Sequence, residues 1–278
     1  MGTRLRVLGP SDLDRAMAFL AERPVENLFV LSRVAAQGVD RLRLGCDMLG
    51  FERDGELTAL CHAGSNVVPI GDDPDAIDHF VHRLGHRRRS TSIMGRADLV
   101  RPLWEGLGHL YGNSWRRVRE LRPRQPLMVV EGEALVPGDP RVRRITMTDF
   151  EPYFEAAVAM YTEEVGVSPL GGGDSYRTYV RSLVVNGRAF GIVEDGRVLF
   201  KSDIGSVFGP YCQIQGVWLA PELRGQGVSI PAMAQVVNLV HPQHPVQSLY
   251  VNDFNTRARR LYQSVGFTVI GEFATVLY

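Results

Sequence analysis

The chain of 278 residues exceeds the usual size of about 100 to 150 residues for one domain, so two domains are the first expectation. Hydrophobic residues make up 45% and charged residues 22%, the profile of a folded soluble protein with a sizeable core, which excludes a disordered or fibrous chain. Lysine plus arginine total 31 against 31 acidic residues, so no global attraction to nucleic acid or to an anionic membrane is expected, and any anion site must be local.

The opening MGTRLRVLG lacks the apolar stretch of a secretion signal, and no run approaches the roughly 18 apolar residues of a membrane span. Arg6 stands where N-myristoylation requires Ser or Thr. Cys46, Cys61 and Cys212 are odd in number and lack metal-ligand spacing, which fits buried thiols in a reducing cytoplasm.

In chain order, residues 4–8 read as a strand and 11–21 as a helix capped by Ser11 or Asp12. A second helix is expected over 27–36. Strands 48–53 and 56–63 flank Asp54-Gly55, a dipeptide suited to the positive φ of a tight hairpin. Residues 75–84 are helical, with Ile77, Phe80, Val81 and Leu84 on one face. His79, His82 and His86 share the opposite face; without an acidic partner pattern they read as a solvated surface, as does the loop Arg87-Arg88-Arg89. A short strand 92–94, a helix 98–107 and a strand 115–121 follow. Pro123, Pro126, Pro137 and Pro140 with Gly132 and Gly138 mark 122–141 as a linker.

Beyond it the order repeats: strand 143–146, helices 149–161 and 175–185, and strands 189–194 and 197–207 joined by Asp195-Gly196. Glu163-Glu164 and residues 166–173 read as a flexible acidic stretch between those helices. The expected domains are therefore 1–130 and 141–278.

Residues 211–219 read as a buried strand, followed by Ala220-Pro221-Glu222-Leu223-Arg224-Gly225-Gln226-Gly227-Val228-Ser229 and a helix with Met233, Val236, Val237 and Val240 on one face. Strand, glycine loop and helix in that order suit an anion, because glycines let consecutive N–H groups converge and the helix start adds partial positive charge. The Gly-Lys-Ser/Thr ending of a P-loop is absent, and so is the third glycine of G-x-G-x-x-G, which weakens a nucleotide-binding module. On glycines alone, a plain tight turn accounts for the loop equally well. Next come strand 249–251, Asn252-Asp253-Phe254-Asn255, a helix bearing Ala258, Leu261, Tyr262 and Val265 that ends at Gly266 as a left-handed cap, and closing strands 267–270 and 273–277.

V-W-L-A-P-E-L-R-G-Q-G at 217–227 and L-Y-V-N-D-F-N-T-R-A-R-R-L-Y-Q-S-V-G-F at 249–267 together resemble the GNAT superfamily of N-acetyltransferases. The first is similar to its Arg/Gln-x-x-Gly-x-Gly/Ala motif in Arg224, Gly227 and position 229, where Ser229 departs from the pattern but stays small. The second is similar to its Asn-x-x-Ala-x-x-x-Tyr-x-x-x-Gly-Phe segment in Asn255, Ala258, Tyr262, Gly266 and Phe267. The resemblance covers residues 141–278. The first half resembles the fold only by element order and lacks the motif, so the resemblance implies an α/β (α+β) protein of two GNAT-like domains in tandem. Each would be a mixed, mostly antiparallel twisted sheet flanked by helices, the first degenerate.

What the resemblance implies for function is a cytoplasmic N-acetyltransferase that takes acetyl-CoA as cosubstrate, without a metal, and passes the acetyl group to a primary amine by direct attack in a ternary complex. Arg224, Gly225, Gln226, Gly227, Val228 and Ser229 would hold the pyrophosphate. The backbone of Val217, Trp218 and Leu219 would run along pantetheine and polarise the thioester carbonyl. Asn255 would touch the cofactor, although a helix cap explains it too, and Tyr262 would protonate the departing thiolate, although a packed tyrosine is the plainer account. The acceptor amine would be a small molecule, a peptide or a protein lysine, with no nucleic acid or membrane partner, on a monomer or homodimer. The alternative is a non-catalytic acyl-CoA-binding regulator. Gln213 and Gln215 occupy the strand where many members of the family carry a basic carboxylate, which leaves Glu163, Glu164 or Asp203 as candidates for that role.

Overall fold

The computed structural model describes residues 2–278. These divide into two compact units: one holds the described residues up to Leu127 together with 250–254 and 270–278, the other holds 128–249 and 255–269. The division therefore differs from a single cut at 130–140, because two late segments of the chain belong with the first unit.

Unit one comprises β1 (Thr3–Val7), α1 (Leu13–Ala21), α2 (Leu28–Gln37), α3 (Arg41–Leu44), β2 (Asp47–Arg53), β3 (Glu56–Ala63), β4 (Asn66–Gly71), α4 (Ala76–Leu84), β5 (Ser92–Arg96), α5 (Ala97–Tyr111), α6 (Asn113–Arg116) and the start of β6 (Glu120–Glu131), and it receives most of β12 (Thr268–Leu277). Its strands lie in the order β1-β2-β3-β4-β5-β12-β6. β1–β2, β2–β3, β3–β4 and β5–β12 are antiparallel, and β4–β5 is parallel. Phe80 and Val81 of α4 and Val100, Leu103 and Leu107 of α5 pack on Phe51, Cys61, Val67 and Ile93, with Ala274 and Val276 of β12 in the same core.

Unit two comprises β7 (Arg143–Arg144), α7 (Phe150–Val165), α8 (Ser175–Val185), β8 (Ala189–Glu194), β9 (Arg197–Phe208), β10 (Tyr211–Leu219), α9 (Ser229–Val240), β11 (Val246–Tyr250) and α10 (Thr256–Val265). The strand order is β7-β8-β9-β10-β11 followed by the end of β6. It is antiparallel through β10, and β10–β11 is parallel. Phe150, Tyr153, Phe154 and Ala157 of α7 meet Val180, Leu183 and Val184 of α8 over Ala189 and Val198. Both expected hairpins form: Asp54 and Gly55 have φ of 52° and 88°, Asp195 and Gly196 of 49° and 72°, the pair of positive values that a two-residue turn matched to strand twist requires.

Several local expectations fail for identifiable reasons. Asp12 makes no helix-capping bond with its side chain, because that carboxylate is taken by Arg6, at 2.7 and 2.5 Å, and by the amide of Gly9. Trp115 belongs to α6 rather than to a strand. Residues 122–131, expected as linker, form most of β6 despite Pro123 and Pro126; the carbonyls of Arg124 and Pro126 accept from Asp253 and Val251, so bonding proceeds from the side proline leaves intact. β4 and α3 were not anticipated. Residues 267–277 hold one strand instead of two. Glu163 and Glu164 lie within α7, so they are helical and not part of a loose stretch. Gly266 ends α10 with φ 120°, outside the left-handed helical region.

Candidate active site

β10 and β11 pair only at Tyr211–Val246, Cys212–Gln247 and Gln213–Ser248; past Gln213 the paired register ends. Against its other neighbour, β10 keeps bonding but slips. Gln215 stands opposite Asp203 and Trp218 opposite Lys201, so Gly216 and Val217 together face the single residue Ser202, which makes a β-bulge. Gly216 has φ 59°, and a Cβ there would lie 2.7 Å from Asp203 Oδ2 and 3.0 Å from Lys201 Nζ. Both backbone conformation and space therefore demand glycine.

Beneath the bulge sits a charged network of which the sequence reading named only Asp203. Lys201 is 0% exposed. Its ammonium donates to Asp203 Oδ2 at 2.6 Å and to the Gly216 carbonyl oxygen at 2.9 Å. The other oxygen of Asp203 accepts from the Tyr153 hydroxyl at 2.6 Å. The signal was present in the sequence: Lys201 is its sole lysine, every other member of the 31 basic residues being arginine. A lysine at mid-strand in a chain that otherwise uses arginine marks a place where a compact ammonium fits and a guanidinium does not.

After β10 a helical turn (Pro221–Leu223) leads into Arg224. Both terminal nitrogens of Arg224 donate to Glu163 at 2.7 Å, its Nε donates to the Leu219 carbonyl at 3.1 Å, and Trp218 Nε1 reaches Glu163 at 3.3 Å. Arg224 accordingly holds the Glu163 carboxyl below its usual range, and Arg224 ties the loop to α7. Gly225 and Gly227 are exposed with φ of 83° and 80°, and a Cβ at either would meet nothing within 4 Å. Among the described residues the amides of Gly225, Gly227 and Val228 have no hydrogen-bond acceptor, and α9 begins at Ser229 without a side-chain cap. Gln226 turns its side chain back onto the Glu222 carbonyl. Free amides beside an uncapped helix start form a donor set suited to a phosphate or pyrophosphate anion.

Asn255 caps α10, its side-chain oxygen accepting from the Ala258 amide at 3.1 Å. Tyr262 is 8% exposed and packs edge-on against Phe267 with ring centres 5.8 Å apart. Burial, then the charge of Glu164, pushes its hydroxyl above the usual tyrosine range. On α7 and α8, Tyr161 and Tyr176 have ring centres 5.2 Å apart and Tyr176 and Tyr179 6.3 Å; Gln215 donates to the Tyr179 hydroxyl. Gln213 is buried.

Unit one contains a counterpart of this arrangement with the opposite chemistry. β4 and β5 pair in parallel only at Asn66–Ser92 and Val67–Ile93. The segment that leaves β4 is Asp72-Asp73-Pro74-Asp75, so carboxylates stand where unit two presents glycine amides. Asp73 accepts from Arg53 and Thr58, and Asp72 from Arg96 and Arg23, each arginine contact at 2.7 Å in its shortest bond. A cleft of about 350 Å³ nearby is lined by Arg23, Glu26, Arg96, Asp98 and Glu272. Among the described residues no group of three or more His, Cys, Asp or Glu is arranged to hold a metal ion, and no helix is long and apolar enough to cross a membrane.

Residues 142–267 match the model of the acetyltransferase (GNAT) family, and residues 46–153 match that of a domain of unknown function (DUF4081). No curated protein matches the chain. Among solved structures, a GCN5-related N-acetyltransferase from Sphaerobacter thermophilus is similar at 14% identity and TM-score 0.64, covering 99% of this chain and 94% of that one. An acetyltransferase of the GNAT family from Colwellia psychrerythraea is similar at 11% identity and TM-score 0.61, covering 99% of both chains. A tandem GNAT protein from the clavulanic acid biosynthesis pathway is similar at 13% identity and TM-score 0.56, covering 99% of this chain and 98% of that one. At such identities these likenesses show the fold alone: the chain has the fold of solved GNAT proteins, one of them a tandem GNAT protein, and its residues 142–267 are the part that matches the acetyltransferase (GNAT) family.

Proposed function

We propose that unit two transfers the acetyl group of acetyl-CoA to an amine. The observation that carries this reading is the set of free amides at Gly225, Gly227 and Val228 at the start of α9, in the loop that follows β10 after its pairing with β11 has ended at Gln213. Those amides would hold the pyrophosphate, and the bulged strand from Val217 to Leu219 would run beside pantetheine. When bound, acetyl-CoA supplies an activated acyl carbon: the amine nitrogen bonds to it, the carbon–sulfur bond breaks, and the sulfur leaves as thiolate. Tyr262, held protonated by burial, supplies the proton that converts that thiolate to thiol, and the proton the attacking nitrogen sheds as the amide forms restores the Tyr262 hydroxyl.

The amine must lose a proton before it attacks, since a primary amine with pKa near 10 is mostly protonated at neutral pH. Glu164 lies close enough to Tyr262 and Tyr176 for its charge to oppose their ionisation, and it is the carboxylate we assign to accept that proton. The tyrosines of α7 and α8 would line the acceptor's approach. Calorimetry with acetyl-CoA on the full chain, followed by coenzyme release with a panel of amines and mass spectrometry of the products, tests the reading. Absence of binding sinks it, and binding without any turnover favours a regulator.

A further inference from the structure

We infer that Lys201 is a positioning residue that turns and polarises the Gly216–Val217 peptide so that the Val217 N–H faces the thioester carbonyl of bound acetyl-CoA. The inference rests on the acetyl-transfer reading above. The bulge takes Gly216 out of register with β9, and its carbonyl accepts from the Lys201 ammonium at 2.9 Å. A trans peptide is planar, with its C=O and N–H antiparallel. The ammonium lies on the α7 side of β10, where a Gly216 Cβ would meet it together with Asp203 and Met160, so drawing the carbonyl toward it sends the Val217 N–H away from α7, on a stretch of β10 with which β11 no longer pairs.

The hydrogen bond does more than orient. A cation on the carbonyl oxygen withdraws electron density through the amide and strengthens the N–H as a donor, the cooperativity expected of linked hydrogen bonds at low local dielectric. Asp203 and Tyr153 serve this arrangement. Asp203 at 2.6 Å compensates the buried ammonium, and the Tyr153 hydroxyl anchors the second carboxylate oxygen, so that the ammonium is held in one place. Gly216 completes it, since a Cβ would displace both charged groups. A lysine kept for packing alone would not need its carboxylate, its tyrosine and a glycine conformation matched to it.

The test uses [1-¹³C-acetyl]-CoA and the full chain. Replacing the ion pair in Lys201→Met with Asp203→Asn removes both charges together, a change buried pairs often tolerate. Lys201→Gln with Asp203→Asn keeps a neutral donor to Gly216. Wild type should bind acetyl-CoA and move the carbonyl carbon resonance downfield. The Met variant should bind with unchanged affinity and lose most of that displacement. The Gln variant should retain roughly half, the ratio of a neutral to a charge-assisted hydrogen bond. An undiminished displacement in the Met variant, or an affinity that falls in step with it, overturns the proposal. So does wild type that binds acetyl-CoA with no carbonyl displacement, while the acetyl-CoA site itself would then stand. No binding by wild type overturns both readings. If the Met variant does not fold, the Gln variant decides by the same two measurements.

Discussion

Tyr262 is buried against Phe267, and its hydroxyl is kept protonated by burial and by the nearby charge of Glu164. Because that shift is upward, the donor form persists through and beyond neutrality, so Tyr262 should add no descending limb to the rate profile below about pH 10. Tyr262→Phe should lower turnover by about 10² to 10⁴ while calorimetric affinity for acetyl-CoA is kept. Unaltered turnover, with chemistry shown to be rate-limiting, would remove it from the mechanism. The segment that carries Tyr262 was legible in the sequence because its motif is local. Lys201 was not, since its partners Tyr153, Asp203 and Gly216 are brought together only by α7 and the β9–β10 bulge. Asn255 illustrates the converse: its cap on Ala258 accounts for it fully, and no second role is required by its geometry.

The elements that matter most are the start of α9 and the clamp that holds the loop before it. A negative side chain at the first helical position favours a helix by about 0.3 to 1 kcal/mol, yet the same charge would repel a pyrophosphate. Ser229→Glu should therefore leave the melting temperature unchanged or raised while abolishing acetyl-CoA binding, which a substitution at Gly227, with φ 80°, cannot separate from backbone strain. Retained affinity in a folded Ser229→Glu protein would exclude the loop as the anion site. Arg224 spends its guanidinium on Glu163 and Leu219, so its task is to hold the loop. Glu163→Ala and Arg224→Ala should then weaken acetyl-CoA alike, and the double variant should be no worse than either single one. A direct phosphate contact would instead make Arg224→Ala much the more damaging. The sign of the pH effect follows from the lowered pKa of Glu163: the clamp is intact above its unfolded value near 4.3 and is lost as pH falls through the lower folded value, so binding should not vary from this source near neutrality. With Glu163 half exposed, the clamp itself contributes no more than about 1 kcal/mol. The loop and its helix were readable from glycine and apolar spacing. The clamp was not, because Glu163 lies 61 residues before Arg224, and β6 was misread because proline's missing N–H argues against a strand only where that N–H is needed.

At the scale of the whole molecule, the chain returns to unit one twice after leaving it, with residues 250–254 and 270–278. Sequence reading expected a linker over 122–141, half of which is strand β6, and could not show these returns, since strand pairing over such separations leaves no local trace. β12 pairs with β5 from Phe273–Arg96 to Leu277–Ser92, and Phe273, Ala274 and Val276 are buried there. Thr275 adds a 2.6 Å hydrogen bond to Gln125, and Tyr278 packs edge-on against Trp115 at 5.9 Å. Burial of Phe273 and Val276 is worth about 1.5 to 3 kcal/mol each, before any ladder bonds are counted. Against a total domain stability of about 5 to 15 kcal/mol, that is enough to decide whether unit one folds. A chain ending at residue 269 should therefore lose hydrogen-exchange protection along β5 and red-shift the emission of Trp115, which is 1% exposed in the intact protein. The fragment 1–130 should fail to fold for the same reason, so it cannot serve to ask whether the first unit binds coenzyme. That question is better put to the full chain carrying Ser229→Glu: with Asp72, Asp73 and Asp75 in place of an amide cradle, unit one should bind no acetyl-CoA. Protected β5 amides in the chain ending at 269 would show instead that the first unit's sheet is complete without its last strand.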